Sequence, residues 1–333
     1  MYQEMWEVVD TLTPDQILDL LRAWPIEFSH IEPLRGARDG LYRAVASTGE
    51  EYVFKKIGGL ERRGRTEIQY RVMRYLYRHG VPTGHPLTNR DGGGYTTDGT
   101  SIYGLMPRIY REEPGLFKPD LCVWDNLGRS YGRLHSVLEA FDDPIKIPQM
   151  TLHDRLFTTG VPRLLESLKG EHLDLVLAIL DELESPIGEL SPLLGEQVIL
   201  YDCHTGNTLF MFGQVSGFID CDSVCLGPRI CDLANLAVIL ILPDQSPERI
   251  RPWLEALPFY LQAYHRTNPL SQVERNALPL AFHAYVLGRL HQSLPRSGEP
   301  SPLLLTALHW LHENRDLLAQ TIASGFNDEL SPV

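Results

Sequence analysis

The stretch LYDCHTGN occupies residues 200–207, and IDCDS follows at 219–223. Asn207 stands five residues after Asp202, and Asp220 stands eighteen residues after it, each beside a short apolar run that is typical of a strand. A single acid in a loop is usually a turn residue. Three oxygen-bearing side chains at the ends of strands instead favour a site for a hard cation such as Mg²⁺, which prefers carboxylate and amide oxygens.

The composition is that of an ordinary globular protein, because 43% of the 333 residues are hydrophobic and 22% are charged. The formal net charge of −13 argues against a general nucleic-acid binder, since affinity for phosphates needs clustered Lys and Arg. The longest apolar run, at 236–242, is too short to span a bilayer, and the N-terminus lacks a signal-peptide pattern. We therefore expect a cytoplasmic protein with no nucleic-acid or membrane partner.

Five cysteines form no CxxC pair, so we expect free thiols and no zinc or redox site. Strand periodicity dominates the first third of the chain after a capped helix, and helical periodicity dominates the rest. This order predicts an α+β fold with a small strand-rich lobe and a larger, mainly helical lobe. The expected segments are an N-terminal helical extension (1–25), a small lobe with an antiparallel sheet and one helix (26–105), a hinge (106–111) and a helical lobe (112–333).

Two strand-like segments interrupt the helical lobe, QVILYD at 197–202 and LFMFGQVSGFID at 209–220. We expect them to pair with each other, so that Asp202 and Asp220 lie at the ends of partner strands. The helix of the small lobe is expected at 64–79. The expected helices of the large lobe span 123–140, 160–184, 229–242, 248–266, 271–294 and 301–324.

The loop resembles the catalytic loop of the aminoglycoside phosphotransferase and homoserine-kinase-like family, whose motif H-G-D-x-H-x-G-N is followed by I-D-F-x-D and G-P-x-x-x-D-L-A. Several matched segments in the correct order are far more specific than one alone. The resemblance implies a two-lobed protein-kinase-like fold and phosphate transfer from ATP. The matching residues are Asp202, His204, Gly206, Asn207, Ile219, Asp220, Asp222, Gly227, Pro228, Asp232, Leu233 and Ala234.

The resemblance assigns a role to each acid of these motifs. It implies that Asp202 orients or deprotonates the substrate hydroxyl, and that Asn207 and Asp220 hold Mg²⁺. Asp222 is expected to approach a second metal ion. Asp232 is expected to be structural and to support the helix that follows it.

The small lobe is expected to contact the nucleotide phosphates. EYVFKKI at 51–57 resembles the family's strand that carries the phosphate-contacting lysine, and strand alternation puts Lys55 and Lys56 on opposite faces. We choose Lys55 over Lys56 for this contact. Gly36 and Gly40 lie where a phosphate-covering turn belongs between two strands.

The hinge candidate is GLMPRIY at 104–110, where backbone groups around Met106 and Arg108 are expected to pair with an adenine edge. His135 lies in a segment that resembles the family's long central helix, and we interpret it as a packed residue. His204 is expected to brace the loop and not to transfer protons.

Two features depart from the family pattern. The family's His-Gly before the catalytic aspartate is replaced by Leu200 and Tyr201. Alignment of the small-lobe helix puts the glutamate that normally pairs with the lysine at Gln69, whereas Glu67 lies about 200° around the helix from that position. Either Glu67 pairs with Lys55, or Gln69 replaces the ion pair with a neutral hydrogen bond, and we favour Glu67 slightly.

The main functional hypothesis is an Mg²⁺-dependent kinase that transfers the γ-phosphate of ATP to a hydroxyl of a small molecule, such as an amine-bearing alcohol or an antibiotic-like acceptor. A serine or threonine of a peptide is also compatible with this architecture. The alternative is a pseudokinase that binds nucleotide or a partner as a scaffold, which Leu200-Tyr201 and the displaced glutamate motivate.

Overall fold

The computed structural model describes residues 12–34, 40–113, 115–116, 121–153, 156–157, 161–297 and 300–327. The contacts between residues divide the chain into two compact units. The first unit runs to Tyr110 and includes Gly217–Asp222, and the second contains Arg111–Ser216 and the chain from Ser223 onward.

The first unit is a five-stranded antiparallel sheet with two helices. Its elements are α1 (Pro14–Leu21), β1 (Phe28–Pro33), β2 (Leu41–Ala46), β3 (Glu51–Gly59), α2 (Arg63–Arg78), β4 (Tyr95–Thr97) and β5 (Ser101–Pro107). The strand order is β1-β2-β3-β5-β4, and every neighbouring pair is antiparallel. The small-lobe helix expected at 64–79 is α2.

Helix α1 is part of the core of this unit. The Thr13 hydroxyl accepts a hydrogen bond from the Gln16 N–H, and the Gln16 side chain accepts from the Thr13 N–H, which is the capping box that the sequence predicts. The apolar face of α1 then packs on the sheet, so the expected N-terminal extension and the sheet share one core. The buried residues of this core are Ile17, Leu21, Trp24, Tyr42, Ala44, Phe54, Tyr103 and Leu105.

The second unit is mainly helical. Its elements are α3 (Cys122–Glu139), α4 (Val161–Ser167), α5 (Glu171–Leu190), β6 (Gln197–Ile199), β7 (Thr208–Met211), β8 (Gln214–Phe218, whose last two residues belong to the first unit), β9 (Cys225–Gly227), α6 (Ile230–Ile239), α7 (Pro247–Thr267), α8 (Gln272–Ser297), α9 (Pro302–Glu313) and α10 (Arg315–Ser324). The helix expected at 160–184 is divided between α4 and α5, and the one expected at 301–324 is divided between α9 and α10. In the described ranges, no helix has the length and apolar character to cross a membrane.

The strand pairing around the motif differs from the prediction. β6 pairs with the short strand β9, which the sequence analysis missed, while β7 and β8 pair with each other. The cause is a two-residue turn in which Phe212 has φ 52° and Gly213 has φ 72°. Two successive positive φ values are typical of a tight hairpin, so the segment at 209–220 folds back on itself instead of pairing with 197–202.

The end of β8 belongs to the first unit. The Phe218 N–H donates to the Pro82 carbonyl at 2.9 Å, and the Gly84 N–H donates to the Phe218 carbonyl at 3.0 Å. These bonds join Gly217–Asp222 to the first unit, whereas the sequence analysis placed this segment in the helical lobe. Asp220 is therefore positioned by the same unit that carries Lys55.

Candidate active site

The loop between β6 and β7 is held by its backbone. The Leu200 and Tyr201 N–H groups donate to the two carboxylate oxygens of Asp232 at 2.9 and 2.7 Å. The Asn235 side chain donates to the Tyr201 carbonyl at 2.6 Å. Tyr201 has φ 68°, a conformation that is uncommon for a bulky residue and that persists only when the surroundings determine it. These three hydrogen bonds hold the backbone of Tyr201 in this conformation.

The Asp232 carboxylate is itself part of a buried network. Asp232 and His135 have no exposed side-chain area, and the His135 Nε2 lies 3.1 Å from Asp232 Oδ2. The other ring nitrogen of His135 lies 2.8 Å from the Tyr264 hydroxyl. Because a carboxylate only accepts, His135 Nε2 is the donor of the bond to Asp232. His135 and Asp232 are structural residues that anchor the loop.

This network explains how the loop tolerates Leu200 and Tyr201 in place of the His-Gly of the motif. The motif has Gly at the position of Tyr201, and the positive φ there explains why a glycine suits it. Leu200 and Tyr201 are both buried. The loop is therefore fixed through its backbone amides although its side chains differ from the motif.

Asp202 follows this anchored turn and has a partly exposed side chain, at 32%. His204 Nε2 lies 3.8 Å from Asp202 Oδ2, and Arg289 Nη1 lies 3.9 Å from Asp202 Oδ1. Both distances are longer than those of hydrogen bonds, so the two contacts are electrostatic only. The His204 Nδ1 accepts from the Gly206 N–H at 2.9 Å, which agrees with the expected bracing role. Arg289 was missed by the sequence analysis because it lies in α8, outside every matched segment.

Asn207 closes the loop on Asp202. Its side-chain Nδ2 donates to the Asp202 carbonyl at 3.0 Å, and its backbone N–H donates to the His204 carbonyl at 2.9 Å. The amide nitrogen is used inside the loop, which turns the amide oxygen to the other side. The second unit thus brings Asp202 and Asn207 together.

In the first unit, Asp220 lies beside Lys55. The Lys55 Nζ is 2.5 Å from Asp220 Oδ1, and the two side chains are 23% and 36% exposed. Asp220 also has a positive φ, 56°. Lys55, and not its neighbour Lys56, therefore contacts the predicted metal ligand.

Asp222 contacts two arginines that flank the start of α2. Arg65 Nε donates to the Asp222 carbonyl at 2.8 Å, and Arg62 Nη2 lies 3.6 Å from the Asp222 carboxylate. The Asp222 carboxylate thus already has a cationic neighbour, and its contact with a second metal ion stays a prediction.

The expected pair between Lys55 and Glu67 is not formed. Among the residues that the structure describes, the ion-pair partner of Lys55 is Asp220, and the Glu67 side chain is exposed. Gln69 is buried, as expected for a position 200° away on the helix. The alignment that places the family glutamate at Gln69 thus puts that position on the buried face of α2, and the choice between Glu67 and Gln69 as the partner of the lysine stays a prediction.

The hinge prediction needs a correction at Arg108. Its backbone N–H donates to the Glu51 carbonyl at 3.0 Å, so this amide is not available to an adenine edge. The Arg108 guanidinium contacts the Glu51 carboxylate and lies over the Tyr110 ring, 5.0 Å from its centroid. This cluster ties the hinge to β3.

The alternation of an antiparallel ladder extends the correction to Met106. Hydrogen-bonded and non-hydrogen-bonded pairs alternate along such a ladder, so the bond from Arg108 to Glu51 makes Met106 face β3 as well, opposite Val53. Leu105 and Pro107 then turn their backbone groups away from β3. The Leu105 carbonyl accepts a hydrogen bond from the Leu87 N–H at 2.8 Å, and Pro107 has no N–H. The contact of this segment with an adenine edge stays a prediction.

The predicted phosphate turn lies partly outside the described residues. Gly36 is one of the residues that the structure does not describe. Gly40 has φ 81°, and a Cβ there would lie 2.9 Å from the Lys56 Cβ, so this position requires glycine. The contact of either glycine with a phosphate remains a prediction.

The profile of the phosphotransferase enzyme family (APH) matches residues 30–270, which is more than half of the chain. This chain belongs to the phosphotransferase enzyme family. The prediction of a kinase that uses an alcohol group as acceptor is confirmed at the level of the family.

Two curated relatives are homoserine kinases. The one from Neisseria meningitidis serogroup B (strain ATCC BAA-335 / MC58) is 26% identical over 232 residues, which cover 68% of this chain and 72% of the relative. The one from Phenylobacterium zucineum (strain HLK1) is 26% identical over 230 residues, with 66% and 67% covered.

Solved structures support the fold. An amicoumacin kinase in complex with AMP-PNP, Ca²⁺ and Ami superimposes with a TM-score of 0.67 at 18% identity, covering 91% of this chain and 93% of that one. A microcompartment-associated aminopropanol kinase has the same TM-score at 17% identity, covering 92% and 97%. The predicted α+β, protein-kinase-like fold is confirmed.

Proposed function

We propose that this phosphotransferase moves the γ-phosphate of ATP to a hydroxyl group of a small molecule, with Asp202 as the residue that receives or orients the hydroxyl proton. The main support for the proposal is the structure of the loop that carries Asp202. Its backbone is fixed by a fully buried network, while the Asp202 carboxylate itself remains partly exposed. Positioning and electrostatics account for most of the catalysis of phosphoryl transfer, so a carboxylate on a rigid support fits this reaction.

The acceptor oxygen forms a bond to the γ-phosphorus, and the bond from that phosphorus to the bridging oxygen breaks, so that ADP leaves with the electron pair. The hydroxyl proton passes to the Asp202 carboxylate. Lys55, whose ammonium lies at Asp220, supplies positive charge to the nucleotide phosphates.

The donor set of the chain fits Mg²⁺. Asp220 offers a carboxylate that is 36% exposed, and Asn207 offers an amide oxygen because its nitrogen is used within the loop. Both are hard oxygen ligands of the kind that Mg²⁺ prefers. The bound ion would neutralise charge on the phosphates. To hold the ion, Asp220 would give up part of its pairing with Lys55.

Arg289 favours an acceptor that carries an anionic group near its hydroxyl. Its guanidinium stands 3.9 Å from Asp202, is 37% exposed, and has donors to spare beyond a long contact with Gln292. Guanidinium groups bind carboxylates in a bidentate manner. Together with the homoserine kinases among the relatives, this supports a small hydroxy amino acid, with an amine-bearing alcohol or antibiotic as the other acceptor class.

An acceptor screen tests the proposal. Purified protein is incubated with Mg²⁺-ATP and a set of alcohols that includes homoserine and 3-aminopropan-1-ol, which differ only in the carboxylate, and ADP release is measured. We expect faster release with homoserine. The Asp202→Asn variant should lower the rate by about 10²–10⁴-fold, with an unchanged melting temperature.

The matched control is Asp181→Asn, which changes an exposed aspartate of α5 and should keep full activity. Full activity of Asp202→Asn would show that another residue handles the hydroxyl proton. Nucleotide binding without transfer to any alcohol in the screen would favour the pseudokinase.

A further inference from the structure

We propose that Arg65 is a positioning residue that joins helix α2 to the loop carrying Asp220 and thereby sets the affinity for Mg²⁺-nucleotide, with Arg62 as its auxiliary. The inference rests on the proposed function, because it assigns to that site a support that the family motifs do not contain. Its basis is a set of contacts within the first unit.

The first contact is made to the backbone of the loop. Arg65 Nε donates to the Asp222 carbonyl at 2.8 Å, and the bond is partly buried. A donor that carries charge makes a stronger hydrogen bond than a neutral one. Because the acceptor is a carbonyl, this bond does not compete with a metal for the carboxylates of the loop.

Arg62 adds a weaker contact from the turn before α2. Its Nη2 lies 3.6 Å from the Asp222 carboxylate, and its Nη1 donates to the Ile57 carbonyl at 3.3 Å. The Arg62 side chain is 47% exposed, so we expect this contact to contribute little by itself. It nevertheless places a second positive charge at Asp222.

The loop is thus held at both ends. Lys55 contacts Asp220 from β3, and Arg65 contacts Asp222 from the beginning of α2. Between them, Cys221 is buried, and Asp220 keeps a positive φ of 56°. A strained residue needs support on both sides, and the Arg65 bond supplies the support on the C-terminal side.

The helical phase explains why an arginine has this role. Residues four apart share a face, so Arg65 lies on the same face as Gln69, which is buried, while Glu67 points to solvent. Gln69 carries no charge and cannot form the ion pair with Lys55 that the family motif places there. Lys55 pairs with Asp220 instead. Helix α2 contacts the loop through Arg65, which lies one turn before Gln69.

The test compares two arginines of the same helix. Arg65→Met removes the donor but keeps the aliphatic stem, and Arg63→Met makes the same change at an exposed position as the matched control. Calorimetry gives the Kd of Mg²⁺-AMP-PNP for each protein. We expect Arg65→Met to raise this Kd about tenfold, as the loss of one charge-assisted hydrogen bond allows, and Arg63→Met to leave it within about twofold.

A second readout does not need the nucleotide. Hydrogen exchange of Asp220–Ser223 should be faster in Arg65→Met than in the wild type without ligand, and unchanged in Arg63→Met. In the activity assay, the KM for ATP should rise while the KM for the acceptor stays the same.

Three results would be decisive. A folded Arg65→Met with the wild-type Kd and wild-type exchange would overturn the inference. Equal effects of Arg65→Met and Arg63→Met would also overturn it, since they would reflect the net charge of α2 only. A wild-type protein that binds no Mg²⁺-nucleotide while its ligand-free exchange responds to Arg65→Met would overturn the proposed function and the affinity claim, but would leave the structural link intact.

Discussion

The Asp202 loop and the Asp220 loop both present a carboxylate after a strand, yet different chemistry holds them. The Asp202 loop is anchored through backbone N–H groups to Asp232, which has no exposed side-chain area. The Asp220 loop is held by Lys55, Arg62 and Arg65, whose contacts are partly exposed. The first arrangement depends on burial and the second on charge.

The difference has a functional meaning. A buried, fully hydrogen-bonded network fixes the geometry before any ligand arrives and costs no reorganisation during the reaction. Partly exposed ion pairs are weaker and can be exchanged for other ions. The proposed proton acceptor is therefore rigidly placed, while the proposed metal ligand is paired with a cation that a metal can replace.

The largest expected effect comes from Asp232. In Asp232→Ala, two backbone N–H groups and His135 lose their acceptor inside the protein, which should cost about 3–5 kcal/mol in the free energy of unfolding. Asp222→Ala, in the other loop, should cost less than about 1 kcal/mol. Urea unfolding of both variants measures the contrast.

Asp232→Asn serves if Asp232→Ala does not fold. It keeps one acceptor oxygen and should lie between the wild type and the alanine variant. An Asp222 variant as destabilised as the Asp232 variants would show that the two loops are held equally strongly.

The next largest expected effect is a difference between His283 and Glu51 in the pH range over which each loses its contribution to stability. In the second unit, burial lowers the pKa of His283 below its usual value of about 6.5. The charge of His312 lowers this pKa further, and the charge of Glu182 partly opposes the shift. The unfolded state then binds more protons as the pH falls below about 6.5, so stability decreases there, by up to about 1.4 kcal/mol for each pH unit. In the first unit, the hydrogen bond from Arg43 helps lower the pKa of Glu51 to about 2. Its contribution is present above about 4.5 and is lost only as the pH approaches 2.

Thermal unfolding between pH 7 and pH 5 measures this slope. His283→Asn should flatten it, whereas Glu51→Gln should leave it unchanged over the same range. A slope that survives in His283→Asn would assign the acid sensitivity to another group.

A smaller effect is expected at the outer end of the buried network. Tyr264→Phe removes the hydroxyl that is hydrogen-bonded to His135 Nδ1 and should cost about 1 kcal/mol. Tyr77→Phe, at a side chain that is 54% exposed, is the matched control and should be neutral. A neutral Tyr264→Phe would mean that the network ends at His135.

These anchoring contacts could be predicted only in part from the sequence. The motif identifies Asp232 as structural and His135 as packed, because both belong to segments with a recognisable pattern. Their contacts with Leu200 and Tyr264 join residues that are 32 and 129 positions apart. No local periodicity reports such distant pairings, so the support of the loop became visible only in three dimensions.

The same limit accounts for the errors. β9 has three residues, too few for a period-two pattern, and this made the pairing of β6 wrong. Arg65 and Arg289 belong to helices whose faces periodicity can assign, but periodicity does not say which loop those faces meet. The α+β class and the helices α2 and α3 follow patterns that local spacing does show, whereas the contact of Lys55 with Asp220 joins residues 165 positions apart and was not predicted.

The smallest expected effect is a response to salt that distinguishes the loops without changing the overall stability. Raising NaCl from about 0.1 M to about 1 M shortens the screening length from about 10 Å to about 3 Å. The contacts of Lys55 and Arg62 should weaken, so the amides of Asp220–Ser223 should exchange several-fold faster. Leu200 and Tyr201 donate to a carboxylate inside the protein and should not respond. In Lys55→Met the salt response of Asp220–Ser223 should be reduced, since one of the screened pairs is already absent. An equal response of both loops in the wild type would mean that charge, and not burial, also holds the Asp202 loop.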